Sequence, residues 1–343
     1  MKNLITYFLI FLFQLNLAVA QSGGLGVYRF LELSPSAHIS AVGSKNLATR
    51  SNDLSFSLQN PSLLNSEHHT HLSLNAVSYF AGIKSGQLQY AHHFQKLGTI
   101  GVGIQYLSYG RFDATDVLGN INGEFSAGDL ALTTSLSKPL DSLFSIGANV
   151  KFIYSQLEEY QSVGIASDLG VSYWNHQKQL GLALVLRNFG SQLKPYRAGE
   201  FEPIRSSFDL GFSKKLLNAP FRFNVSYIDI LNFDLTYIDP SLETIDPLTG
   251  EEIDRSFNFF EKTQRHFVLG LEVLLSENFY LGAGYDFKKR AELQLESKRS
   301  GVGISYGFGF KISKFNFSYS RSIMHLAAAS NHISIGTSLQ RFK

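Results

Sequence analysis

Cysteine is absent from the 343 residues. This excludes disulfides and the acylated cysteine of a bacterial lipoprotein anchor. Proline is scarce, at 8. After the first twenty residues no apolar run approaches the roughly 20 needed for a membrane-spanning helix. Charged residues make up only 17% and the formal net charge is +2, with no basic patch or stripe, so a nucleic-acid partner is excluded. What the chain has in quantity is glycine (29), phenylalanine (29) and tyrosine (16).

The first 20 residues read as a cleaved secretory signal. Lys2 supplies the positive end, Ile5 to Leu17 the apolar core, and Ala18-Val19-Ala20 a small-x-small cleavage site. Residues 21–68 do not alternate. They contain one possible helical turn near Ser36 to Val42 and a chain reversal at Asn60-Pro61, because proline biases the residue before it away from the helical region. This stretch is expected to pack, plug-like, inside or beneath whatever the rest forms.

From residue 69 to 343 the pattern has a period of two. In Gly301 to Ile312, Val302, Ile304, Tyr306, Phe308, Phe310 and Ile312 share one parity, while glycine, serine and Lys311 share the other. The same division recurs at Ile100–Tyr106, Ile146–Tyr154, Phe221–Tyr227, Phe279–Phe287 and Phe315–Tyr319. Counting all such stretches gives about fourteen strands, an even number as in bacterial single-chain barrels. A soluble sandwich would put Lys, Glu and Thr on its solvent parity. Here that parity is mostly glycine and serine, with isolated charges such as Lys151, Asp168, Asp209, Arg222, Glu272 and Asp286. The expected fold is therefore an all-β transmembrane barrel of about 14 antiparallel strands, its apolar parity facing lipid and its small polar parity lining the lumen.

The connections give a separate signal. Even-numbered links, near Gln95-Lys96, Pro139–Asp141, Asn175–Gln177, Leu216–Asn218, Ser276–Asn278 and Ser313, are tight, as periplasmic turns are. Most odd links are longer, at Gly110–Gly128, Gly190–Ile204 and Leu231–Lys262, with a tight first one near Lys84-Ser85. Both chain ends are expected on the side of the short turns.

Three constellations invite a chemical reading. His68, His69, His71, His92 and His93 have a spacing that could hold a transition metal, or could be a polar strand end with no fixed geometry. Ser135-x-x-Lys138 matches a penicillin-binding motif but lacks its partner motifs. His332-x-Ser334 matches that of lipid deacylases, yet both fall on the lumen parity. No catalytic, cofactor or metal residue is assigned. The inward glycines fit either close packing of the plug or simple strand curvature. Loop 231–262 is too long for a mere connector. It is acidic and carries Phe233, Tyr237, Phe257, Phe259 and Phe260, which suits a partner interface, or else a lid over the barrel mouth.

Laid out in this way, the chain resembles the PorQ family of outer-membrane proteins of the Bacteroidetes type IX secretion system, itself related to PorV and to long-chain fatty-acid transporter barrels. The resemblance is carried by Gly26–Leu31, Leu33–Ala37 through Gly43, Asn60–Leu64, Phe112-Asp113 with Thr115-Asp116, and Gly123–Ala127. Ser44 and Ser62 depart from it by small changes. The resemblance implies a non-enzymatic, fourteen-stranded barrel without cofactor that anchors the cell-surface attachment complex. Its partners would be outer-membrane lipid, a surface protein like PorZ, and components like PorU and PorV, which process and attach secreted cargo. The alternative is a channel or transporter barrel for hydrophobic solutes.

Overall fold

The computed structural model describes residues 26–236, 256–294, 300–325 and 328–342. The expected signal peptide and Tyr237 lie outside the described residues. Fourteen antiparallel strands close into one barrel in which each strand pairs with its sequence neighbours and β1 meets β14. They are β1 (His71–Ser78), β2 (Lys84–Phe94), β3 (Gly98–Thr115), β4 (Ile121–Pro139), β5 (Phe144–Leu157), β6 (Tyr160–Asn175) and β7 (Leu180–Lys194). There follow β8 (Ser207–Lys215), β9 (Phe221–Tyr227), β10 (Phe267–Ser276), β11 (Phe279–Asp286), β12 (Ile304–Ile312), β13 (Phe315–His325) and β14 (Ala328–Ser338).

Register turns the alternation of single strands into a continuous band. Paired residues carry their side chains to the same face of a sheet. Phe279, Phe310, Phe317, Ile335, Leu74, Leu88, Ile104, Leu132, Phe152 and Ile165 follow one another across β11 to β6 in a single row of partners. Their neighbours in each strand point inward. Burial is the reverse of that in a soluble protein: Phe152 is 51% exposed, whereas Glu272 is 0% exposed. Such an extensive outward apolar surface is stable only against lipid.

Three expectations are corrected. Val302 is not on the lipid face; it is 0% exposed. Gly301–Gly303 forms a turn in which Gly303 takes φ +87, so β12 begins only at Ile304. Second, Gly110–Gly128 is largely strand rather than loop. Phe112 stacks on Phe125 at 5.2 Å and Arg111 reaches Glu124 at 3.4 Å, so cross-strand pairs extend the β3–β4 ladder. The link after β5, by contrast, is only Glu158-Glu159, and the first link is Tyr79–Ile83 rather than Lys84-Ser85. Third, the two ends of the described barrel unit (Gly26–Leu235 with Phe257–Lys343) do not share a side. β14 ends among the short turns, but Val27 makes a parallel bridge with Ile204 in the long link between β7 and β8.

Between Val27 and β1 the chain therefore runs from the long-loop end to the short-turn end. It does so as short pieces: 3-10 turns at Arg29–Glu32, Leu54–Leu58, Pro61–Leu63 and Ser66–His68, and one helix, α1 (Ala37–Ala41). Ser36 caps α1 by accepting from the Ile39 amide. Asn60 starts the Pro61 turn by accepting from the Ser62 amide, which is the local reason the chain reverses there. These pieces lie against the inward faces of the strands. A Cβ on Gly170 of β6 would come within 2.2 Å of Asn60 Oδ1, and one on Gly284 of β11 within 2.0 Å of the Gly43 amide. At these positions glycine serves close approach. At Gly190, where a Cβ would meet Ile165 O of the neighbouring strand at 2.0 Å, it serves the strand itself.

Candidate functional site

The polar residues of the N-terminal segment and of the inward strand faces meet in ion-paired clusters. In the first, α1 presents His38 to the wall. Its Nε2 lies 2.5 Å from Glu272 Oε1 of β10, and its Nδ1 lies 3.6 Å from Asp53 Oδ2. Glu272 also accepts from Arg222 at 3.0 Å and from Asn224 at 3.3 Å. Tyr280 stacks on the imidazole at 4.2 Å and Phe56 meets it edge-on at 5.0 Å. Burial favours neutral imidazole, but the Asp53 and Glu272 carboxylates, acting as acceptors and negative charges beside the ring, outweigh it, and the His38 pKa is raised to about 9. Burial likewise opposes ionised Asp53, yet the bond to His38 holds its pKa below the usual value.

The second cluster lies within the wall. Lys151 Nζ reaches Asp168 at 2.7 Å and Asn188 at 2.8 Å, and the Asn188 amide donates to the same Asp168 at 2.8 Å. The third runs from Arg187 and Asp209 to Asp229, which accepts from Arg205 at 2.6 Å. Lys45 is brought beside it by the segment; burial, and then the nearby Arg187, lower its pKa to about 8. Ion pairs of this kind add little net stability, but removing one partner leaves a buried charge uncompensated.

Beside the first cluster is a cavity of about 340 Å³ at the short-turn end. His38, Asp53 and Leu54 of the segment face Leu274, Tyr280 and Ser318 of the wall across it. Its lining mixes apolar and polar groups, and its volume is in the range of small-ligand pockets.

The histidine constellation is only partly assembled. His69 packs on His92 at 4.4 Å and its Nδ1 accepts from the His93 amide at 3.2 Å. His68 is occupied by the backbone: Nδ1 accepts from the Asn65 amide at 3.2 Å and Nε2 lies 3.0 Å from Ser51 O. Burial lowers its pKa to about 4, which keeps it neutral. His332 Nε2 lies 2.9 Å from Ser330 Oγ, while Ser334 Oγ accepts from the Ala37 amide at 2.8 Å. Ser334 therefore holds the segment, and no base is bonded to it among the described residues. Ser135 is buried whereas Lys138 is exposed.

Four of the five loop aromatics gather at the long-loop end. Phe233 stacks on Phe259 at 5.4 Å, and the Phe257 ring carries the Arg265 guanidinium at 4.6 Å. Phe259 is 74% exposed and Phe260 is similarly exposed. Asn258 and Glu261 form a capping box that starts the short helix α2 (Phe259–Gln264) bearing them. Buried His266 fixes the base of the group, its two ring nitrogens 2.6 Å from Ile228 O and 3.0 Å from Phe233 O. Sequence reasoning missed both His38 and His266. Each is a lone histidine in a stretch without period, and only the fold supplies its partners.

No family model and no curated protein matches the chain. Solved structures do. The toluene transporter TbuX of Ralstonia pickettii aligns with a TM-score of 0.54 at 10% identity, over 88% of this chain and 98% of its own. A FadL homologue of Pseudomonas aeruginosa aligns with a TM-score of 0.51 at 9% identity, over 88% of this chain and 98% of its own. The fold is thus that of a bacterial outer-membrane barrel.

Proposed function

We propose that the chain forms a gated outer-membrane channel for hydrophobic solutes, with residues 26–68 as its plug. The observation that carries this reading is the cavity between plug and wall, where Leu54, Leu274 and Tyr280 lie next to the His38–Glu272 pair. The similarity in fold to a toluene transporter and a FadL homologue supports it. Passage requires the segment to shift, because the His38–Glu272 ion pair and tight glycine contacts hold it. Neither this reading nor the next uses catalysis. Uptake of toluene or of a long-chain fatty acid into proteoliposomes tests the proposal. Accumulation above protein-free vesicles supports it, and none above that background overturns it.

A second reading is a non-enzymatic anchor of a type IX secretion attachment complex, supported by the sequence resemblance to the PorQ family and by the exposed Phe259 and Phe260. In that case a surface protein resembling PorZ, together with PorU- and PorV-like components, would be the partners. Deleting the gene would leave secreted cargo uncleaved or shed into the medium. Normal cargo attachment after deletion would refute it.

A further inference from the structure

We propose that the outer wall at β13, β14, β1 and β2 carries a binding site for a phosphate-bearing membrane lipid, with Arg321 and Lys84 as its cationic ends. The register places Arg321 opposite Asn331, Asn331 opposite Ser78, and Ser78 opposite Lys84. Paired residues share a face, and Arg321, Ser78 and Lys84 are all exposed on the lipid-facing parity. Three strand spacings of about 4.8 Å separate the two cations at the backbone, or about 14 Å. The Arg321 guanidinium closes part of that gap. It donates to Asn331 Oδ1 at 3.4 Å and so lies over β14, on the side toward Lys84. The Tyr319 hydroxyl donates to the same oxygen at 2.9 Å, so the acceptor lone pairs of Asn331 are engaged, while Arg321 itself is exposed.

The next row on this face is apolar and has a dent. It reads Tyr319, Ile333, Ala76, Gly86 and Tyr106 across β13, β14, β1, β2 and β3. A Cβ on Gly86 would meet nothing within 4 Å, so that position opens onto free space. Ala76 and Gly86 form the floor, Ile333 and Tyr106 the sides, and Leu74 with Leu88 the far edge in the following row. The row of Arg321 and Lys84 lies at the long-loop rim, at headgroup depth, where lipid-facing cations are tolerated and attract anionic headgroups. Among the described residues neither Lys84 nor Arg321 pairs with a carboxylate. An anionic headgroup between the two, with the start of its acyl chain in the dent, satisfies charge and shape together. Arg321 supplies the planar fork suited to phosphate, and Lys84 a point charge.

Native mass spectrometry of the full mature chain, released from a zwitterionic detergent and titrated with 1-palmitoyl-2-oleoyl phosphatidylglycerol, tests this. Phosphatidylcholine of the same chains and inorganic phosphate are separate arms. The wild type is expected to retain one phosphatidylglycerol at collision energies that strip phosphatidylcholine. Lys84→Gln with Arg321→Gln should weaken retention by about tenfold or more, the equivalent of one charge-assisted hydrogen bond. Gly86→Phe, which fills the dent from an open position, should weaken lipid retention but leave inorganic phosphate binding unchanged. Unaltered heat-modifiable mobility in gels establishes that each variant is folded. Equal retention of the two lipids, wild-type retention by the double glutamine variant, or indifference to Gly86→Phe would overturn the proposal.

Discussion

His38 of the N-terminal segment and Glu272 of β10, separated by 234 positions in sequence, lie 2.5 Å apart, and both side chains are buried. This pair joins the N-terminal segment to the wall at the edge of the cavity. Glu272 is fully buried, and its remaining oxygen accepts from Arg222 and Asn224.

Glu272→Ala is therefore expected to destabilise the barrel by about 3–5 kcal/mol, the usual cost of orphaning a buried charge. Calorimetry in detergent measures it. A double-mutant cycle with His38→Ala should give a coupling of about 1 kcal/mol or more, since the two side chains are in direct contact. Additive effects would show that the pair contributes no mutual stabilisation.

The sign of the pH dependence follows from His38. Its pKa is raised to about 9 in the folded protein, against 6.5 unfolded. Its stabilisation is fully present below pH 6.5 and declines as pH rises to 9 and beyond, by at most about 3 kcal/mol. Midpoints of thermal unfolding between pH 6 and 10 should fall accordingly. In His38→Asn that part of the decline should be missing.

Glycines on the two faces should respond oppositely to alanine. Gly284→Ala drives a methyl into the backbone of Gly43 and is expected to cost about 1–3 kcal/mol or to displace the segment. Gly86→Ala enters open space and should be nearly neutral. Comparison of unfolding midpoints, with proteolytic nicking of residues 26–68 as a second readout, separates the two.

If the loop aromatics are a docking surface, Phe259→Ala with Phe260→Ala should abolish capture of a surface partner while leaving barrel stability within about 0.5 kcal/mol, as for exposed substitutions generally. A change in solute uptake without loss of a partner would instead make α2 part of the mouth of a channel.

Much of the architecture was legible because a barrel writes itself into sequence at period two. Strands such as β5 and β14 show their facing directly in residues like Phe152 and Ile333. The short-turn links were equally readable, since length alone marks them. Val302 misled because glycine-rich turns and strands share composition, and only the positive φ of Gly303 ends the strand. The stretch Gly110–Gly128 misled because its ladder is held by Phe112 with Phe125 and Arg111 with Glu124, contacts between residues on different strands. The charge clusters could not be read at all. Lys151, Asp168, Arg222 and Glu272 were visible as isolated inward charges, but their partners were not. The course of Val27–His68 through the interior likewise depends on tertiary contacts with no local period.

Lipid contact of the outward row is the claim on which the rest stands, and the cysteine-free chain makes it directly measurable. Nitroxide labels on Leu88→Cys and, one position away, on Gln87→Cys in liposomes should report opposite environments. Leu88 should be relaxed by membrane-dissolved oxygen and shielded from a water-soluble nickel chelate, while Gln87, buried against the interior, should be reached poorly by either. A Leu88 label relaxed mainly by the nickel chelate would place that row in water and contradict the membrane-spanning barrel.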